Sequence, residues 1–313
     1  MAVAFTFPGQ GSQTVGMGKA LADTFFEAQA IFAAVDDALG EKLSTIIFEG
    51  PIETLTLTEN AQPALMAVSL AAIRVLEARG VRIRDRVAFV AGHSLGEYSA
   101  LAAAGSLSVA DAAKLLRVRG RAMQQAVPVG TGAMAALLGM ELDAAREVAA
   151  EAAQGDVCEV ANDNGGGQVV ISGAKAAVER ALDIAKTKGA KRAILLPVSA
   201  PFHCALMEPA AKVMEMALAA TDIHAPAVPL IANVVAAPIT DPAEIRTRLV
   251  EQVTGMVRWR ESMMWLGQTG VGTFVEVGAG KVLSGLAKRI VDGAETLSVG
   301  TPAEIDAAVA KLA

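Results

Sequence analysis

The sequence predicts an α/β protein made of a large domain with a parallel sheet and a small inserted domain of ferredoxin-like type. Two observations carry this prediction. Residues 87–91 form a short apolar run that leads through Gly92-His93-Ser94-Leu95-Gly96 into a Leu/Ala-rich helical segment, which is the strand, turn and helix of an α/β unit. Residues 132–198 have the pattern β-α-β-β-α-β, that of a split βαβ unit. We therefore expect a large domain of residues 1–130 and 199–313 and a small domain of residues 131–198.

The large domain is expected to begin with a strand over residues 2–7, which runs directly into the Gly-rich loop Pro8-Gly9-Gln10-Gly11-Ser12-Gln13. Helices are predicted around residues 16–34, 60–79 and 108–127, the last with Ser108 as its N-cap and Asp111 three residues later. The chain returns to this domain through residues 199–220. The apolar segments VPLIANV and TFVEVGAG then follow, before a last helix.

The small domain is predicted from alternating strand and helix patterns. AMAALLGM is a short apolar strand, and ELDAAREVAAEAA is helical. VCEVAN and QVVISG are strands separated by the turn cluster Asp163-Asn164-Gly165-Gly166-Gly167. KAAVERALDIAKTKG supplies a second helix and AKRAILLPV a final strand.

Ser94 is the first candidate for chemistry. A G-x-S-x-G pattern between a strand and a helix forms a sharp elbow, on which the serine hydroxyl is held out at the helix N-terminus. Backbone amides at that terminus can stabilise an oxyanion. The alternative is a Gly-Ser turn that only caps a helix. Because α/β-hydrolases carry the same elbow, we expect the large domain to be α/β-hydrolase-like.

Composition argues against several classes of function. The chain has 313 residues, 53% of them hydrophobic, and a formal net charge of −6. It has no basic stripe with interleaved aromatic residues of the kind that binds nucleic acid. No stretch resembles a membrane span of ~20 apolar residues, and the N-terminus does not resemble a signal peptide. Two cysteines, Cys158 and Cys204, argue against a disulfide framework or a metal cluster and fit a reducing cytoplasm.

A serine nucleophile needs a base, and the chain offers three histidines. His93 adjoins Ser94 on the elbow, where neighbouring side chains point in different directions, so it is poorly placed to accept the serine proton. His224 lies in a Pro-rich connection and is expected in a surface loop. His203 follows a strand and a proline in LLPVSAPFHCALM, and strand ends are where α/β sheets collect site residues. His203 is therefore the candidate base. No carboxylate stands out as its partner, and a backbone carbonyl can fix the tautomer equally well.

Arg119 lies within the apolar stripe of its predicted helix, because the residues three and four positions away on both sides are apolar. Arg117 and Arg121 are assigned to the polar face. A buried arginine is costly unless it is paired. The helix alone leaves two interpretations open: an internal salt bridge or snorkelling stem, or bidentate capture of a substrate carboxylate.

Two Gly-rich segments have the composition of ligand-binding loops. Gln10 lies either in a plain turn or in a loop that supplies a second amide to an oxyanion hole. Gly280-Lys281 in EVGAGKVLSG lacks the spacing of a phosphate-binding loop, so nucleotide binding is rejected.

Taken together, these motifs resemble one known family. The chain resembles the malonyl-CoA:acyl-carrier-protein transacylases and is similar to the acyltransferase domains of polyketide synthases. The resemblance covers nearly the whole chain and rests on motifs that occur in the family's order: FPGQGSQ, QPA, GHSLGEYSAL, the arginine of RVRGRAM, VANDNG, PFH and VEVGAGKVL.

The resemblance implies a role for each matching residue. Ser94 would be the acylated nucleophile and His203 its general base. The backbone amides of Gln10 and Leu95 would form the oxyanion hole. Arg119 would hold the free carboxylate of a malonyl group.

Four further positions follow from the same resemblance. The backbone carbonyl of Gln252 would orient the histidine, which would explain the missing acid. Asn162 and His93 are expected among the substrate-binding residues, with Asn162 lining the cleft between the two domains. Phe202 is bulky at a position where family members vary, which favours malonyl over branched acyl groups.

The implied reaction is ping-pong transfer of malonyl from malonyl-CoA to the thiol of acyl carrier protein through a malonyl-serine ester, in fatty-acid biosynthesis. It would need no metal and no bound organic cofactor, and neither nucleic acid nor membrane would be a partner. We expect a cytoplasmic monomer. The alternatives are a thioesterase or esterase of the α/β-hydrolase type, an acyltransferase serving a polyketide pathway, and a non-catalytic module that docks carrier proteins. Lys191 and Arg192 are candidates for carrier contacts.

Overall fold

A computed structural model of the chain describes residues 2–313. Two sheets organise it, with strand orders β10-β9-β1-β2-β7-β8 and β4-β5-β3-β6. The strands are β1 Ala2–Phe7, β2 Phe89–Gly92, β3 Gly132–Leu138, β4 Cys158–Asp163, β5 Gln168–Ala174, β6 Arg192–Leu195, β7 Leu230–Ala232, β8 Ala237–Ile239, β9 Val271–Val277 and β10 Glu295–Val299.

Helices surround both sheets. They are α1 Lys19–Thr24, α2 Phe26–Leu39, α3 Leu43–Glu49, α4 Ile52–Thr56, α5 Thr58–Ala78, α6 Ile83–Arg86, α7 Gly96–Ala103, α8 Val109–Gln125, α9 Leu142–Ala153, α10 Lys175–Thr187, α11 Glu208–Ala219, α12 Pro242–Thr254, α13 Trp259–Gln268, α14 Val282–Ile290 and α15 Pro302–Leu312, with a 3₁₀ turn at Ala205–Met207.

The large sheet is parallel in all its pairings except β7 with β8. Its strands are short and apolar, as expected for a sheet that is covered on both faces. The predicted α/β fold with a parallel sheet is therefore confirmed. Because β1, β2 and β7 lie side by side and run the same way, the loops that follow them emerge at one edge. This is the edge where open α/β sheets carry their sites.

The small sheet is antiparallel throughout. It is built from the chain order β3, α9, β4, β5, α10, β6, and the two helices and the sheet share a separate apolar core. The sheet is joined to the rest of the molecule along β4. Asn162 forms a parallel bridge with Val257, the Asp163 amide donates to the Val257 carbonyl at 3.0 Å, and Arg260 pairs with the Asp163 carboxylate at 2.7 Å.

Two local predictions were wrong. The helix predicted around residues 16–34 is broken: α1 ends before Phe25, whose backbone is extended, and α2 then continues to Leu39. Arg117 does not lie on a polar face, since its side chain is buried and pairs with Glu41 and with the amide oxygen of Asn60. The partner segment arrives from elsewhere in the chain, so helical periodicity alone could not reveal it.

Other details agree with the sequence. The hydroxyl of Ser108 caps α8 by accepting the Asp111 amide at 3.0 Å. His224 is exposed in a loop. One expectation differs, since a stretch of the chain does resemble a membrane span: α5 has the length and composition of one. In the structure 83% of its apolar window is buried, where it contributes to the main core.

Candidate active site

Ser94 stands on the elbow between β2 and α7, with a left-handed backbone (φ 53°). The flanking glycines are required by close backbone approach. A Cβ on Gly92 would overlap the backbone of Gly96, and one on Gly96 would overlap the carbonyl oxygen of Phe7. Asn233, which follows β7, braces the turn: its Oδ1 accepts the Ser94 amide at 2.8 Å and its Nδ2 donates to the Gly92 carbonyl at 2.7 Å.

His203 lies between β6 and the 3₁₀ turn, and its side chain contacts the serine. Its Nε2 lies 2.8 Å from Ser94 Oγ, and its Nδ1 lies 2.8 Å from the Gln252 carbonyl oxygen and 3.1 Å from that of Gly255. Since carbonyl oxygens only accept, Nδ1 carries the proton and Nε2 presents a lone pair to the hydroxyl. Burial and the nearby Arg119 charge lower the pKa of His203 to about 3. The imidazole is therefore neutral and able to act as a base at ordinary pH.

Arg119 projects from α8 to the same hydroxyl and is 1% exposed. Its Nη2 donates to Ser94 Oγ at 3.1 Å and to Gln252 Oε1 at 2.9 Å, and its Nη1 donates to Gln62 Oε1 at 2.8 Å. Within residues 2–313 no carboxylate forms a salt bridge with this guanidinium. The structure therefore removes the internal salt bridge from the two interpretations that the helix left open. A buried cation without a counter-charge is a ready receptor for an anionic group.

Two free amides are available for an oxyanion. The backbone N–H groups of Gln10, after β1, and Leu95, at the start of α7, donate to no other group of the described chain. The Gln10 side chain is held by Thr58 at 3.3 Å. Both amides follow adjacent parallel strands, which places them at the edge of the sheet that carries Ser94.

A pocket of about 360 Å³ opens over Ser94 and His203. Gln10, Asn162 and Phe202 are among the residues that line it. The bulk of Phe202 lies beside the reacting groups, and Asn162 comes from β4 of the small sheet. The pocket therefore lies between the two sheets, with lining from both.

His93 is held away from the serine proton. Its Nε2 lies 2.8 Å from Asn164 Oδ1, and its ring packs against Trp259 with centroids 5.5 Å apart. Burial lowers the pKa of His93, so the ring is neutral and donates to the amide oxygen. His93 borders the pocket as a fixed wall between the elbow and the small sheet.

Several buried polar residues of this site were not anticipated from the sequence. Asn233, Gln62 and Glu97 are each at least nine-tenths buried, and the Gln252 side chain has contacts beyond those of its carbonyl. Burial raises the pKa of Glu97 to about 8. Two signals in the sequence could have identified these residues: Glu97 directly follows the elbow in GHSLGEYSAL, and Asn233 lies at the end of an apolar strand.

A family model described as an acyl transferase domain matches residues 4–304. The chain belongs to the acyl transferase family. It is similar to relatives named malonyl CoA-acyl carrier protein transacylase: it is 48% identical over 311 residues to the one from Bacillus subtilis, covering 99% of this chain and 97% of the relative. It is 46% identical over 306 residues to the one from Escherichia coli K12, covering 98% of each.

Solved structures agree with this membership. The acyltransferase superposes with a TM-score of 0.98 on an acyl-carrier-protein-S-malonyltransferase from Bartonella henselae, at 59% identity over 100% of this chain and 99% of the other. It superposes with a TM-score of 0.96, at 42% identity over 99% and 100% of the two chains, on a malonyl-transacylase solved in complex with a type II PKS acyl-carrier protein.

The acyltransferase site has the parts for nucleophilic catalysis. Ser94 Oγ has a neutral base at hydrogen-bond distance, and the base is oriented by two carbonyls. The amides of Gln10 and Leu95, unpaired within residues 2–313, follow the two adjacent strands β1 and β2. No group of three or more His, Cys, Asp or Glu side chains suited to a metal ion occurs in the described part of the chain.

Proposed function

We propose that this acyltransferase moves a malonyl group from malonyl-CoA to the phosphopantetheine thiol of acyl carrier protein. The observation that carries the proposal is the position of Ser94 Oγ, 2.8 Å from His203 Nε2 and 3.1 Å from Arg119 Nη2. A nucleophile placed between a base and an uncompensated buried cation suits an acyl group that ends in a carboxylate. The names of the relatives support the same substrate and acceptor.

The reaction would proceed in two halves. Ser94 Oγ attacks the thioester carbonyl while His203 Nε2 takes its proton, and the Gln10 and Leu95 amides stabilise the oxyanion. The tetrahedral intermediate collapses, and His203 returns the proton to the departing CoA thiolate. A malonyl-serine ester remains, with its carboxylate on Arg119. The carrier thiol then attacks this ester, His203 removes the thiol proton and returns it to Ser94 Oγ, and malonyl carrier protein leaves.

The hydrolytic alternative, a thioesterase or esterase, is not favoured by the site. An α/β-hydrolase holds its histidine with an acid, whereas His203 Nδ1 is held by two backbone carbonyls. The non-catalytic alternative is disfavoured because the nucleophile, base and guanidinium are in contact.

Intact-mass spectrometry tests the proposal directly. Mixing the protein with malonyl-CoA should add one malonyl group, and holo acyl carrier protein should then remove it and become malonylated. S94A should remain unlabelled, while S298A, which removes a hydroxyl from β10, should be labelled like the wild type. Rapid release of free malonate without an acceptor would instead establish a hydrolase, and absence of any label on the wild type would refute acyl transfer.

We propose that the enzyme serves fatty-acid biosynthesis and works as a monomer in the cytoplasm with no metal or organic cofactor. Its two cysteines are free and buried, which suits a reducing compartment. A polyketide route would use the same chemistry with a different carrier, and comparing the two carriers as acceptors of the malonyl-enzyme would decide between the routes.

A further inference from the structure

The polar protein partners of Arg119 are all neutral. They are the amide oxygens of Gln62 and Gln252 and the hydroxyl of Ser94. The ring of Tyr98 adds a cation–π contact, with the guanidinium carbon 5.7 Å from its centroid. Both glutamines are essentially inaccessible, at 1% and 0% exposure. A glutamate has the same size as a glutamine, so either position could hold a carboxylate that would neutralise the arginine.

The side chain of Gln252 separates the nearby carboxyl group of Glu97 from the Arg119 guanidinium. The amide oxygen of Gln252 accepts from Arg119 at 2.9 Å, while its amide nitrogen donates to Glu97 Oε2 at 2.5 Å. The same nitrogen donates to the Ser94 carbonyl at 2.9 Å. The neutral Gln252 side chain therefore lies between the Glu97 carboxyl and the Arg119 guanidinium. Burial keeps the Glu97 carboxyl largely protonated at neutral pH, with its pKa at about 8.

Burying a cation without a counter-ion destabilises the folded state. The protein nevertheless keeps the buried Arg119 cation beside its nucleophile. Amide oxygens fix the direction of the guanidinium but cancel none of its charge. The counter-charge must then come from outside the chain.

We propose that Gln62 and Gln252 are specificity-determining positioning residues, which aim the Arg119 guanidinium while leaving its charge free for the carboxylate of the acyl group. This inference rests on the proposed function and assigns the Gln252 side chain a role separate from that of its backbone carbonyl. A glutamate at position 62 would place an internal carboxylate on the guanidinium that the substrate's carboxylate must reach, and would affect acyl groups without a carboxylate far less. A glutamate at position 252 would also lose the amide donor to the Ser94 carbonyl, so the ratio of the malonyl and acetyl rates is the readout there.

The test compares Q62E with the wild type in acylation by malonyl-CoA and by acetyl-CoA. Gln62 is the cleaner position, because its amide nitrogen makes only a weak contact, 3.8 Å to Met123 Sδ. The ratio of the two kcat/KM values should fall by about ten- to hundredfold, the range expected for a lost charge-assisted pair. The acetyl rate should stay within about threefold of the wild type. Q29E, which makes the same chemical change on the exposed surface of α2, should leave the ratio unchanged.

Q62M separates charge from positioning, because it removes the amide oxygen without adding a carboxylate. Its malonyl-to-acetyl ratio should fall less than that of Q62E. An equal fall in both variants, or equal losses of malonyl and acetyl rates in Q62E, would overturn the role of neutrality. Q252E keeps the backbone carbonyl that holds His203 and should reproduce the fall in ratio. Q62E decides the question if Q252E does not fold.

Failure of the inference and failure of the proposed function give different results. A wild-type protein that accepts no malonyl group refutes the proposed function, and the inference falls with it. A malonylated wild type whose malonyl-to-acetyl ratio is unchanged in Q62E refutes the inference alone.

Discussion

Replacing Arg119 with alanine should strongly reduce malonyl transfer while sparing or improving acetyl transfer. The guanidinium already lies 3.1 Å from Ser94 Oγ, so a malonyl group esterified to that oxygen would have its carboxylate within reach. A bidentate pair offers two charge-assisted hydrogen bonds of about 1.5–3 kcal/mol each. Their joint loss of ~3–6 kcal/mol corresponds to a fall of roughly 10²- to 10⁴-fold in kcat/KM for malonyl-CoA.

Acetyl-CoA has no carboxylate to lose, and His203 remains at 2.8 Å from the nucleophile. Its kcat/KM should therefore stay within about tenfold of the wild-type value. The assay is the initial rate of acyl-enzyme formation with each thioester, followed by intact mass. R121A is the matched control, since Arg121 lies on the same helix with 56% of its side chain exposed and pairs with Glu59. Equal losses for malonyl and acetyl would refute the carboxylate role of Arg119.

Three other outcomes are expected. The pKa of His203 is lowered to about 3, so the imidazole stays neutral as the pH falls. The acetylation rate at about pH 5.5 should therefore remain within roughly twofold of the rate at neutral pH. A histidine with the ordinary pKa would lower that rate about tenfold. A pH-rate midpoint near the ordinary value would contradict this. N233A removes the acceptor for the Ser94 amide and the donor to Gly92, and should lower malonyl and acetyl rates alike, by about ten- to hundredfold; a changed ratio would be the contrary result. E276A deprives the buried amides of Leu283 and Ser284 of their acceptor, so the free energy of unfolding measured in urea should fall by about 2–4 kcal/mol. A fall of less than about 1 kcal/mol would contradict this role of Glu276.

Local patterns were enough to place the elbow and its neighbours. The apolar run predicted at residues 87–91 is the strand Phe89–Gly92, and the helix after Ser94 spans Gly96–Ala103. Strand, tight glycine turn and helix are encoded within a few residues, so their order survives without tertiary information. The α1–α2 break at Phe25 carries no glycine or proline signal, which is why a single helix was predicted there.

Long-range contacts were a different matter. His203 and Ser94 are 109 residues apart, and Arg119 and Gln252 are 133 apart. Helical spacing showed that Arg119 is flanked by apolar residues, but no pattern identified what its guanidinium contacts. Those assignments came from the family resemblance. The Gln62, Glu97 and Asn233 side chains were missed because a buried polar residue within an apolar segment has no local signature that separates a site from a satisfied core position. The catalytic and binding roles remain predictions until the variants are measured.

The left-handed backbone at the elbow also bears on how this enzyme can be made more heat-resistant. Ser94 and His203 both have positive φ, at 53° and 59°, and each such non-glycine residue costs the folded state about 1–3 kcal/mol. Glycine would relieve that cost at either position and eliminate turnover, so a search guided by thermostability alone is drawn toward inactive proteins. Gln154, at the end of α9 with φ 47°, has the same geometry far from the chemistry. Engineering for thermal stability should begin with glycine at position 154, where relieving the backbone strain removes no catalytic group.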